Sequence, residues 1–132
     1  MMKKKIDFQY DDGGRYKAGF RDHVGDCVTR SISILFGFDY LDAHQQVNIL
    51  VRRFCDRKSL VPDGISTKST KKLMKHYGLI WNPTNNFLDI PVKGKVILNF
   101  PCHVCAVIDG IMYDTHDNRK NTNRIYGYWE FI

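Results

Sequence analysis

The chain has 132 residues, 43% of them apolar and 26% charged, with eight Phe, seven Tyr and two Trp. That length suits one compact domain over 1–132 and excludes a second catalytic domain, and the composition excludes disorder. Twenty basic against 14 acidic residues leave +6, but between positions 66 and 95 Lys68, Lys71, Lys72, Lys75, Lys93 and Lys95 stand against Asp89 alone, so the excess is regional.

No run approaches the about 18 apolar residues of a membrane span. The opening Met1-Met2-Lys3-Lys4-Lys5 lacks the apolar stretch of a signal peptide, so the expected location is cytoplasmic, with no membrane partner. Cys27, Cys55, Cys102 and Cys105 are too few and too uneven for a disulfide framework, and in a reducing compartment each is a thiol.

In chain order, the tract to about Val24 holds Asp11-Asp12-Gly13-Gly14 and Gly19 and reads as loop with room for one short strand. From Asp26 the spacing of Val28, Ile32, Leu35 and Phe36 predicts a buried helix, with Asp26 as N-cap and Gly37 as stop. Asp39 to about Lys58 predicts a second helix, with Ala43, Val47, Leu50, Val51 and Phe54 on one face and cations late in it, where they suit the helix dipole. Pro62-Asp63-Gly64 breaks the chain, and a third helix capped by Ser66 or Thr67 runs to Tyr77 before Gly78.

After the loop at 82–89 the pattern changes to β-branched and aromatic runs at 95–100, 103–108, 111–115 and 124–131. Asp109-Gly110 between two of them is a type I′ hairpin signal. The expected fold is α+β, N-terminal helices packed on a C-terminal antiparallel sheet of about four strands.

A thiol attacks as the thiolate, and a helix N-terminus favours that form through its unpaired N–H groups and dipole; Cys27 holds that position. His103, opening an apolar strand, is the candidate base. A two-residue turn at Asp109-Gly110 sets Ile108 against Ile111 and Cys105 against Asp114. Asp114 then lies diagonal to His103 at about 7–8 Å between backbone positions, close enough to orient the imidazole. Asp117 takes that role only if a bulge intervenes, and His23 and His116 are candidates to line the cleft.

These residues resemble the papain-like cysteine peptidase superfamily. The match is Gly25-Asp26-Cys27 opening a helix, then a helical region, then Cys102-His103-Val104-Cys105-Ala106-Val107 and Tyr113-Asp114 on successive strands. The nearest flavour is the small bacterial and phage branch that includes the CHAP amidohydrolases and the peptidases of bacteriocin leaders. The resemblance implies a papain-like fold, Cys27 as nucleophile, His103 as base and Asp114 as orienting acid, with no cofactor. The implied substrate is a protein, a peptide or a peptidoglycan peptide. Such enzymes commonly carry a Gln six residues before the Cys to bind the oxyanion; here that position is Arg21, which with the Cys27 backbone N–H is the candidate donor. Losing one such donor costs on the order of 10²–10³ in rate.

Other readings of the same residues are plainer. Cys55, Cys102 and Cys105 suit packing, and Cys102 with Cys105 and His116 is a poor zinc set, because the pair heads an apolar strand rather than a turn. No metal site is expected. His44 and His76 read as surface residues, and Tyr126, Tyr128, Trp129 and Phe131 as a half-buried strand that closes the sheet. Lys68, Lys71, Lys72 and Lys75 carry the alternative function, an inactive module of the same fold that holds nucleic acid or an acidic protein.

Overall fold

The computed structural model describes residues 6–20, 26–54, 67–101 and 103–131. Its elements are β1 (Asp7–Tyr10), α1 (Cys27–Phe36), α2 (Tyr40–Phe54), α3 (Thr67–His76), β2 (Leu79–Pro83), β3 (Lys95–Phe100), β4 (His103–Ile108), β5 (Ile111–Asp114) and β6 (Gly127–Phe131). Two 3-10 turns, Phe87–Asp89 and Asn118–Arg124, lie between strands. Among the described residues no helix is long and apolar enough to cross a membrane.

The α+β class is as expected, but among the described residues the sheet has six strands in the order β1-β5-β4-β3-β6-β2, not about four, and it is mixed. β1 pairs in parallel with β5, from Asp7 opposite Ile111 to Tyr10 opposite Asp114. A parallel partner about a hundred positions away leaves no turn signal beside it in the chain, because parallel strands are joined by long crossovers. β2 carries only a short alternation of its own and partly falls in the expected loop at 82–89; its Trp81 ring lies 4.9 Å from that of Trp129 in β6, across a gap of 48 positions. At Gly127 this pairing is so close that a Cβ would run into the Trp81 ring and the Asn82 carbonyl.

Local expectations fare well. Asp109 and Gly110 take positive φ (49° and 78°), and Ile108 faces Ile111, Val107 faces Met112 and Ala106 faces Tyr113. α1 ends at Gly37 in the left-handed region, φ 73°, with the Gly37 N–H bonded to the Ser33 carbonyl. Leu73 and Met74 of α3 are buried, as are Ala43, Val47, Leu50 and Val51 of α2. The expected ends of α2 and α3 at Lys58 and Ser66, together with Cys55, lie outside the described residues.

α1 is the centre of the helical layer, and its burial goes beyond one apolar face. Thr29, Arg30, Ser31 and Ser33 are buried alongside Val28, Ile32 and Leu35. The segment around Gly13 covers the polar side: Ser33 Oγ donates to the Gly13 carbonyl at 2.9 Å, and a Cβ on Gly13 would come within 3.3 Å of the Arg30 backbone. One apolar cluster joins α1, α2 and α3 to Ile97, Val104, Ala106 and Trp129 of the sheet. A second, with Ile6, Ile90, Leu98, Val107, Met112 and Ile125, is built on the alternate residues of the same strands. His44 is half-buried rather than superficial, its ring 4.7 Å from Phe20 and 6.1 Å from Tyr40.

Candidate active site

Cys27 is the first residue of α1, partly buried, with its thiol free. Asp26 occupies the N-cap position, and its carbonyl accepts the Arg30 N–H at 2.9 Å, but its side chain makes no cap hydrogen bond. The carboxylate turns instead to the Tyr40 hydroxyl (2.9 Å), Arg15 Nη1 (3.2 Å) and Arg30 Nη1 (3.5 Å). The expected side-chain cap is thereby corrected: two arginines and a buried phenol outbid the helix amides for this anion. Burial and the neighbouring Asp26 push the Tyr40 phenol well above its usual value, so it remains a donor.

His103 opens β4 directly after the β3–β4 turn, with Phe100 as its ladder partner. The β4–β5 ladder runs from Ile108 opposite Ile111 to Ala106 opposite Tyr113, and one step further along the strands Asp114 comes within reach of the imidazole. His103 Nε2 meets Asp114 Oδ2 at 2.6 Å, and the Cys27 thiol is close enough to the same ring to raise its proton affinity. With Nε2 committed to Asp114, Nδ1 is the nitrogen left for the thiol. Burial works to lower the His103 pKa, but the hydrogen bonds to Asp114 and Cys27, with the charges of both, raise it to about 9. The ring is therefore imidazolium at neutral pH.

Asp114 is buried, its side chain 2% exposed, and both oxygens are occupied. Oδ2 accepts from His103 and from Asn118 Nδ2 (2.8 Å); Oδ1 accepts from the Thr115 backbone N–H (2.8 Å) and faces Arg30 Nη2 at 3.6 Å. Burial alone would raise the Asp114 pKa, yet the hydrogen bond and charge of His103, the Thr115 N–H and the Arg30 cation outweigh it and hold the carboxyl below its usual value. Cys105 is also buried close by, and burial together with the charges of Asp114 and Cys27 pushes its thiol far up, which keeps it protonated and unreactive.

The remaining expected site residues divide. Asp117 is not at His103: it is exposed, its carboxylate takes the Arg119 N–H (3.1 Å), Nε (2.8 Å) and Nη2 (2.6 Å), and Arg119 holds its pKa at about 2. His116 is exposed, with Nδ1 3.1 Å from Thr115 Oγ1, two positions beyond Asp114. Arg21, His23 and Cys102 lie outside the described residues. Among the described residues no group of three or more His, Cys, Asp or Glu is gathered as metal ligands. Lys68, Lys71, Lys72 and Lys75 are exposed on α3, which packs on β2, three strands from β4 in the sheet order.

Sequence reasoning missed Arg30, Asn118 and Thr115, which hold Asp114, and Arg15 and Tyr40, which hold Asp26. One signal was present: Arg30 is the only charged residue in the ten of α1. Neither a protein-family model, nor a curated protein, nor a solved structure matches this chain.

Proposed function

We propose that this chain is a papain-like cysteine hydrolase that cleaves an amide bond in a protein or peptide, a peptidoglycan peptide included. The observation that carries the reading is one imidazole bonded to a buried carboxylate at 2.6 Å, with a thiol at the N-terminus of a buried helix near enough to the same ring to raise its proton affinity. Three residues from three separate elements converge in the order that nucleophilic catalysis needs: nucleophile, base, orienter.

In the proposed reaction Cys27 attacks the scissile carbonyl carbon as the thiolate, its proton already carried by the His103 imidazolium. The oxyanion that forms is met by the Cys27 backbone N–H at the start of α1. The His103 imidazolium then protonates the leaving amine as the C–N bond breaks, leaving a thioester on Cys27. Water, deprotonated by the now neutral His103, attacks the thioester, and the acid and the thiol are released. Asp114 keeps the ring turned toward Cys27 and stabilises each imidazolium. A reducing compartment such as a bacterial or phage-infected cytoplasm suits a chain whose Cys27 and Cys105 are free.

Iodoacetamide labelling of the native protein at neutral pH tests this. Cys27 should react ahead of Cys105, Cys55 and Cys102, and His103→Ala should abolish the preference. Equal labelling of all four thiols overturns the reading. Incubation with a peptide library, read by mass spectrometry, then identifies the bond cut.

A second reading is an inactive module that binds nucleic acid or an acidic protein, and it is supported by the exposure of all four lysines of α3 without an acidic residue in that helix. It predicts salt-dependent binding lost in Lys71→Glu/Lys72→Glu, together with no peptide cleavage.

A further inference from the structure

Arg30 is 8% exposed, in a helix otherwise apolar or uncharged, and a buried guanidinium requires strong partners. It has three. Nη1 donates to Thr115 Oγ1 at 3.0 Å and lies 3.5 Å from Asp26 Oδ1; Nη2 lies 3.6 Å from Asp114 Oδ1. Asp26 immediately precedes Cys27, and Asp114 carries the bond to His103. A single cation therefore ties the start of α1 to the end of β5 from the side opposite His103.

The geometry assigns Arg30 a role as positioning residue: it clamps Asp26 to Asp114 and so fixes the approach of Cys27 to His103. This rests on the cysteine-hydrolase reading and adds to it the device that holds two of its groups in register. The need for such a clamp is local. The β4–β5 ladder runs only as far as Ala106 opposite Tyr113, so cross-strand pairing does not hold Asp114 against β4. The Asp26 carboxylate makes no cap hydrogen bond with α1 and instead meets Arg30 together with Arg15 and the Tyr40 hydroxyl. Arg30 touches neither substrate nor reacting atom; it acts through Asp114 and Asp26.

The sign of one measurement separates positioning from simple charge. Deleting a cation near His103 without moving anything raises the imidazole pKa, because the imidazolium loses a repulsive neighbour. Letting Asp114 drift from His103 lowers it, because the imidazolium loses its hydrogen bond and counter-charge. The groups facing His103 and Asp114 that enter this balance are Cys27, Cys105, Arg30 and Asn118.

The experiment is an NMR titration of the His103 ring in wild type, Arg30→Met, Arg30→Lys and Thr115→Val, alongside iodoacetamide labelling of Cys27. Thr115→Val removes one anchor of the guanidinium while leaving every charge in place, so it reports even if Arg30→Met does not fold. We expect the His103 pKa to fall by about one unit in Arg30→Met, a tenfold loss of proton affinity. A smaller fall is expected in Thr115→Val, recovery toward wild type in Arg30→Lys, and slower Cys27 labelling in step with each fall. An unchanged or raised His103 pKa in the folded variants overturns the clamp while leaving the wild-type preference for Cys27 intact. Absence of that preference in wild type overturns the hydrolase reading instead.

Discussion

Asp114→Asn removes one charge from the most densely bonded side chain at this site and barely changes its shape. The amide has one oxygen for two places: if it keeps the Thr115 N–H, an NH2 group faces the His103 and Asn118 donors, and if it turns to His103 it gives only a neutral acceptor and leaves the Thr115 N–H unpaired; Arg30 loses its counter-charge either way. Losing a charge-assisted hydrogen bond costs about 1.5–3 kcal/mol. Arg30 keeps Asp26 at 3.5 Å, so the loss stays under the about 3–5 kcal/mol of a buried charge stripped of its partner. We expect about 2–3 kcal/mol at neutral pH, a fall in Tm of about 10 °C at this chain length. The loss also has a pH signature. The His103 pKa is raised from 6.5 to about 9 in the folded protein, so its stabilisation is complete below pH 6.5 and lost as pH rises through about 9. At 1.36 kcal/mol per unit the ceiling is about 3 kcal/mol, and the ring, 24% exposed, is screened enough to bring it to about 1–2. Urea unfolding of both proteins at pH 6, 8 and 10 measures this. The gap between wild type and variant should be widest at pH 6 and narrow by about 1–2 kcal/mol at pH 10. A gap below about 0.5 kcal/mol at pH 6, or one that does not narrow, refutes the account of the Asp114–His103 pair.

Three further outcomes are expected. Gly127→Ala should destabilise by at least about 2 kcal/mol in urea unfolding, since its Cβ has nowhere to go between Trp81 and the Asn82 carbonyl; a change within about 0.5 kcal/mol would mean that β2 is not seated on β6 as described. Asp117→Asn should leave the Cys27 labelling rate unchanged, because Asp117 pairs with Arg119 and not with His103; a slowed rate on the scale of His103→Ala would place it in the site after all. Acid should also unfold the protein through Asp114. Its pKa is held below the usual 3.8, so its contribution is present above that value and lost as pH falls through the depressed one, and Asp114→Asn should show a shallower acid limb below pH 4.

What could be read from the sequence was whatever depends on near neighbours. The α1 boundaries follow from Asp26, the 3.6-residue spacing of Val28, Ile32 and Leu35, and Gly37, all within a dozen positions. The Asp109-Gly110 turn sets the β4–β5 register from two residues, and that register brings Asp114 within reach of His103; the two side chains stand 2.6 Å apart. That register already favours Asp114 over Asp117 at His103; the tertiary structure adds that Asp117 is claimed by an arginine two residues away and turned to solvent. The tertiary structure alone decided the fate of the Asp26 side chain, the parallel pairing of β1 and β5, and the seating of β2 beside β6. The two strand pairings turn on partners far apart in the chain, for which local propensity carries no signal, and the Asp26 side chain on which of several polar neighbours the fold brings to it. Arg30 is the sharpest case. The sequence shows one charge in a buried helix, but which carboxylates meet it depends on where the loop before α1 and the strand that ends at Asp114 come to rest.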